Sequence, residues 1–167
     1  MSPGNPLKPA SGMAKLPVRL ASAAAIGDGR RIVATAIEAA WGTRHTVATL
    51  AELHRRFPRV RFVWLMGADN LAQLPRWRRW RAIAGGTVFA VLPRPGYNHG
   101  ALSGQAARFL RAARRPARAA SVLAAQPPPS WLFLPSPQHT ASATALRAAA
   151  KGVSDHRPQA ARPTLAA

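Results

Sequence analysis

The chain contains no cysteine. That excludes a disulfide scaffold, a thiolate zinc site and a cysteine nucleophile. Acidic residues are scarce as well: 5 Asp and Glu stand against 24 Lys and Arg, a formal net charge of +19. With only Asp28, Glu38, Glu52, Asp69 and Asp155 to draw on, hydrolysis by a pair of carboxylates is a poor fit. No apolar run approaches the roughly 18 residues a membrane span needs. No charged-then-apolar leader opens the chain, whose first ten residues are Pro-rich and polar. These absences predict a cytoplasmic domain with no membrane partner. His45, His54, His99, His139 and His156 stand at no metal-ligand spacing, so no protein-held metal is expected. Gly-x-Ser-x-Gly, a Walker-type loop and Gly-x-Gly-x-x-Gly are missing too.

What is present is a core. Hydrophobic residues make up 48% of 167, enough for one ordinary domain and against full disorder. The basic residues are 21 Arg and only three Lys (Lys8, Lys15, Lys151), beside abundant Ala, Pro and Gly. That mixture fits a GC-rich codon bias and a solvated surface better than a dedicated nucleic-acid face. The rival reading is a non-catalytic basic module that binds RNA or DNA. It rests on the charge and on Trp77 and Trp80 in an Arg-rich segment, since aromatic rings and Arg suit single strands.

Along the chain, helices are expected over 13–26, 46–57, from Asp69 to about Ala84, 101–113 and 142–150. Asp69 and Ser142 are the expected N-caps of two of them. Strands are expected over 31–37, 60–66, 87–92 and 131–134. Val60 to Met66 is nearly continuous in apolar character, as a strand covered on both faces requires. Strands alternating with helices predict an α/β fold, a Rossmann-like parallel sheet with helices on both faces. Ligands in such sheets bind beyond the carboxyl ends of the strands. The loops after Met66, Leu92 and Leu134 are therefore the places to look. Residues 1–151 read as the domain and 152–167 as a disordered tail.

Gly67-Ala68-Asp69-Asn70 follows the strongest strand, where a Gly allows close approach of a ligand. It equally allows a plain turn and a helix cap. Trp77 and Trp80, at i and i+3, would share one helix face. They suit either stacking on a flat ring or packing on the sheet. Ser142, Thr144 and Arg147 at a helix start suit a phosphate, and equally a simple cap.

In their order, these fragments resemble bacterial nicotinate-nucleotide adenylyltransferases, a nucleotidyltransferase family. The resemblance is carried by Asn5-Pro6-Leu7-Lys8, by Gly-Thr-Arg-His-Thr-Val-Ala-Thr-Leu at 42–50 and by Phe-Val-Trp-Leu-Met-Gly-Ala-Asp-Asn at 62–70. Trp77-Arg78-Arg79-Trp80, Arg94-Pro95-Gly96-Tyr97 and Ser142-Ala143-Thr144-Ala145-Leu146-Arg147 continue it. It implies transfer of AMP from ATP to nicotinate mononucleotide, with Mg²⁺, on the route to NAD. It implies that Trp77 stacks on the nicotinate ring, with Thr46 and the stretch Gly67 to Asp69 lining the same pocket. Lys8, Ser142, Thr144 and Arg147 would grip the ATP phosphates.

Members of the family open with a strand and a Gly-x-Phe-Asp-Pro-x-His-x-Gly-His loop whose two His touch those phosphates. Here the first His is His45, so no catalytic residue is assigned. His45 itself stands where Tyr is usual, and Ala36 near where many members carry an acid. By resemblance the chain is a member lacking the first strand, the His-x-Gly-His helix and a second strand, through a start codon set too late or a decayed copy. The consequences expected are an exposed sheet edge, poor solubility and little adenylyl transfer, or a pseudoenzyme that binds only the mononucleotide.

Overall fold

The computed structural model describes residues 14–138. Residues 14–136 belong to one unit of the fold, and Pro137 and Gln138 to a second. The first unit runs α1 (Leu16–Ala24), α2 (Ile37–Ala40), α3 (Thr46–Arg56), β1 (Val63–Gly67), α4 (Ala68–Gln73), α5 (Trp80–Gly86), β2 (Val88–Leu92), α6 (Asn98–Ser103), α7 (Gln105–Phe109), β3 (Arg114–Arg115) and β4 (Ser130–Phe133). Short 3-10 helices cover Leu74–Arg76, Arg111–Ala113 and Ala117–Ala125.

The four strands form one sheet in the order β1-β2-β4-β3. Every pair is parallel. Register assigns the faces, because side chains alternate along each strand. Trp64, Phe89 and Trp131 align across the sheet on one face. With Met66, Val91, Leu71, Leu74 and residues of α5 to α7 they make the larger core. Val88, Ala90 and Leu132 face the other way and pack with Leu123 of the 3-10 helix Ala117–Ala125. The expected parallel α/β sheet, covered on both faces, is what forms. No helix among the described residues is long and apolar enough to cross a membrane.

Three expected elements differ. Residues 31–37 make no strand. The Asp28 carboxylate accepts the backbone N–H groups of Arg30, Arg31 and Ile32 at 2.9, 2.7 and 2.9 Å. That local turn takes the donors a sheet ladder would need. It also holds the Asp28 carboxyl below its ordinary pKa, first through Ile32 and then Arg30. Ile32 and Val33 are left 65% and 57% exposed.

The helix expected from Asp69 to Ala84 is broken in two. Pro75 lies in the 3-10 turn Leu74–Arg76, where it offers no N–H to an α-helical ladder. Trp77 is extended, Arg79 takes the left-handed region at φ 52°, and α5 starts anew at Trp80. Trp77 and Trp80 therefore do not share a helix face. The helix expected over 101–113 is split at Gly104, where a Cβ would come 2.7 Å from the Gly100 carbonyl oxygen. The helix expected over 142–150, with its Ser142 cap, lies outside the described residues. So does the expected tail.

Among the described residues β1 is an edge, hydrogen-bonded only to β2. At its centre Leu65 is 63% exposed. Open parallel edges with exposed apolar side chains invite association with other chains. Replacing Leu65 by Thr introduces a β-branched side chain that suits a strand and removes the apolar contact. The expected result is lower light scattering at equal concentration, with stability changed by less than about 0.5 kcal/mol. Unchanged scattering would locate the sticky surface elsewhere.

Candidate functional site

The carboxyl ends of β1, β2 and β4 are Gly67, Leu92 and Phe133. Of these, β1 runs straight into α4 with no intervening loop. Gly67 is the N-cap residue of α4, and no side chain caps that helix. The expectation that Asp69 caps it fails because the helix begins two residues earlier than a cap at 69 requires. Asp69 sits inside the first turn instead, where a carboxylate is favoured by the helix dipole. It is half-buried. A Cβ on Gly67 would collide with Asp69 Oδ1. The Gly thus leaves room for the close approach of the Asp69 carboxylate, while its own backbone is ordinary extended chain at φ −76°.

Trp77 is half-buried against the larger core. Its ring lies 5.5 Å from that of Trp64, and Trp64 lies 5.8 Å from Phe89. Its indole N–H is buried with no acceptor. Trp80 packs edge-on against Phe109 at 5.2 Å, with the Arg81 guanidinium 4.9 Å above its ring. Both indoles therefore contribute to the core while staying half-buried, and they do not form a pair on one helix face.

Thr46 is the first residue of α3. The segment leading into it is tied by residues that the sequence did not single out. The Thr43 N–H donates to the Glu38 carbonyl at 2.9 Å. The buried Thr49 hydroxyl is shared between Thr43 Oγ1 at 2.9 Å and Glu38 Oε1 at 3.3 Å. The second Glu38 carboxylate oxygen is buried without a donor. Thr43, Thr46 and Thr49 recur every three residues, and that spacing was the available signal. At the far end of α3, hydrogen bonds from Arg55 and Arg56 push Glu52 down to about 2. These pairs are exposed. Their contribution is present above the ordinary pKa of 4.5 and fades as pH falls towards 2.

The structure thus joins Gly67 and Asp69 at one strand end. It brings Trp77 onto the core face that also seats Val47, the neighbour of Thr46. Lys8, Ser142, Thr144 and Arg147 lie outside the described residues. Thr49→Val tests the tie around Thr46. It strands the Thr43 hydroxyl of a buried bond and a part-buried Glu38 carboxylate oxygen, so stability is expected to fall by about 1–3 kcal/mol. Urea unfolding measures it, and no change would mean that the tie holds nothing.

No protein-family profile matches the chain. Individual proteins do. A probable nicotinate-nucleotide adenylyltransferase of Gluconacetobacter diazotrophicus is 61% identical over 150 residues, 90% of this chain and 70% of that protein. A protein of the same name from Gluconobacter oxydans is 60% identical over 147 residues, 88% of this chain and 75% of its own length. The chain belongs to the nicotinate-nucleotide adenylyltransferase family. A more distant member, from Parvibaculum lavamentivorans, is 49% identical over 147 residues and 73% covered. Membership accounts for an α/β sheet in this chain that lacks the dinucleotide-binding Gly-x-Gly-x-x-Gly.

Proposed function

We propose that this chain serves adenylyl transfer from ATP to nicotinate mononucleotide, giving nicotinate adenine dinucleotide and pyrophosphate in NAD biosynthesis. The observation that carries the reading is the 61% identity to a relative of that name across 90% of the chain. A 5′-phosphate oxygen of the mononucleotide attacks the α-phosphorus of ATP in line. The bond from that phosphorus to the oxygen bridging to the β-phosphate breaks, and pyrophosphate leaves with the electron pair. Such a transfer needs positioning and charge neutralisation, with no protein nucleophile. That suits a chain without a nucleophilic dyad.

In this reading Thr46, Gly67, Asp69 and Trp77 hold the mononucleotide. Trp77 offers its ring to the nicotinate, Gly67 lets the ligand come close to backbone, and Asp69 accepts from a hydroxyl. Lys8, Ser142, Thr144 and Arg147 hold the triphosphate. Mg²⁺ travels with ATP as part of the substrate. Among the described residues no three His, Asp or Glu side chains cluster so as to hold an ion of their own. The proposed setting is the cytoplasm.

A second reading, confined to the 167 residues taken by themselves, is a chain that keeps the mononucleotide and does not transfer. No His-x-Gly-His occurs in the 167 residues. Donors aimed at a transferring phosphoryl group are typically worth ~100-fold or more in rate. Pyrophosphate release from ATP plus nicotinate mononucleotide tests both readings. The expected result is mononucleotide binding with release about 100-fold or more below that of a member carrying the loop. Release at full rate would show the loop to be dispensable, and a complete absence of release would leave the pseudoenzyme. A folded chain that binds neither substrate would defeat both.

A further inference from the structure

The other end of the sheet carries a cleft that adenylyl transfer does not use. Its volume is about 510 Å³, and its lining includes His54, Phe57, Arg61, Phe62, Val88 and Gln126. Phe62 immediately precedes β1, Val88 opens β2, and Gln126 lies in the connection entering β4. All mark the amino ends of the strands. Gly67 is at the opposite end of β1, roughly 16 Å away along the strand.

One wall is aromatic. His54 stacks on Phe62 at 5.8 Å and 24°, and Phe57 meets Phe62 edge-on at 6.4 Å. Phe57 remains 43% exposed. The charge beside it is unspent. Glu52 is already engaged by Arg55 and Arg56. Arg59 and Arg61 have no acidic partner among the described residues. Val88 aligns in the sheet with Ser130, which is 1% exposed and whose hydroxyl has no partner.

We propose that this cleft binds an unpaired nucleobase together with its phosphate, from a free nucleotide or from a single strand. A flat ring matches the exposed Phe57 face, and a guanidinium fork matches phosphate oxygens. An acidic peptide would match the charge and leave the aromatic wall without a flat partner. The basic surface of a +19 chain adds long-range attraction for a polyanion. Trp77 and Trp80, the aromatics that first suggested nucleic acid, are engaged in the core, whereas Phe57 offers its ring to solvent.

The test is fluorescence anisotropy of a labelled single-stranded oligoadenylate of about eight nucleotides, with the full chain at low salt and with AMP as competitor. Phe57→Ala and Arg61→Glu are each expected to weaken binding about five-fold or more. Phe57→Tyr, which keeps a ring, is expected to retain it. Arg111→Glu makes the same charge change outside the cleft and is expected to have a smaller effect. Displacement by millimolar AMP identifies a free nucleotide as the source of the ligand. Resistance to AMP, with the variant pattern intact, identifies a single strand. Equal losses in Arg61→Glu and Arg111→Glu would reduce the effect to diffuse charge and overturn the proposal. So would an absence of binding by the folded chain. Arg61 is exposed, so its variant stays informative if Phe57→Ala proves unstable. Mononucleotide binding at the Gly67 end is measured separately, so failure at either end is read independently of the other.

Discussion

Trp131→Ala is expected to cost about 3–5 kcal/mol, enough to unfold a domain of ordinary stability or leave it only marginally folded. Trp131 is 1% exposed and heads the set of largest fully buried side chains. It lies in β4, between β2 and β3, and on the face of the larger core. Its indole N–H donates to the Leu110 carbonyl at 2.9 Å, a buried bond spanning 21 residues of chain. The Arg114 guanidinium sits 5.2 Å over its ring, tying the short β3 to β4. Alanine removes the packed volume, the donor and the cation's seat together. Trp131→Phe separates these terms. It keeps most of the apolar mass and strands the Leu110 carbonyl, for a loss nearer 1–3 kcal/mol. Urea unfolding followed by circular dichroism ranks wild type above Phe and Phe above Ala. Equal losses for Phe and Ala would mean that the hydrogen bond, and not the packing, dominates.

Gly67→Ala is expected to do the reverse: little harm to stability, and a loss of about 10-fold or more in affinity for nicotinate mononucleotide. The new methyl would collide with Asp69 Oδ1. That oxygen ends a short side chain and can rotate away, so the fold tolerates the change. A site held by Gly67 and Asp69 does not tolerate it, because misplacement by about 1 Å already costs orders of magnitude in a positioned complex. Asp69→Ala should lose a similar amount. The double variant should lose little more than either alone, since both changes remove one carboxylate from one place. Calorimetry of the three variants checks this. Strict additivity would mean that Gly67 acts through its own contact with the ligand.

Much of the fold could be read from the chain because its strands are apolar on both faces. Val60 to Met66, Thr87 to Leu92 and Trp131 to Leu134 lack alternation, and the structure buries Thr87 to Val91, Trp131 and Leu132 in the sheet, whereas at the edge only Met66 of the first run is buried and Leu65 stays exposed, so that strand is not covered on both faces. Arg31 to Ile37 looked similar in composition. Its fate was set by Asp28, whose carboxylate captures three amides and turns the chain aside. Two exposed arginines, Arg114 and Arg115, form a strand only because β4 lies beside them, and no local signal could show that. Proline and a left-handed residue, Pro75 and Arg79, divided what periodicity read as one helix and separated the two tryptophans. At the site, Gly67 and Asp69 were legible from their place after the strongest strand. Glu38 was not, because its part depends on Thr43 and Thr49 folding back on it. The residues expected to grip ATP lie outside the described residues and remain expectations from the family.

The most direct measurement is a calorimetric titration of nicotinate mononucleotide into the 167-residue chain, with folding checked by circular dichroism in the same sample. Saturable one-to-one binding, weakened by Gly67→Ala at unchanged fold, is the expected result. A chain that unfolds cooperatively in urea, yet takes up neither nicotinate mononucleotide nor ATP, would contradict it.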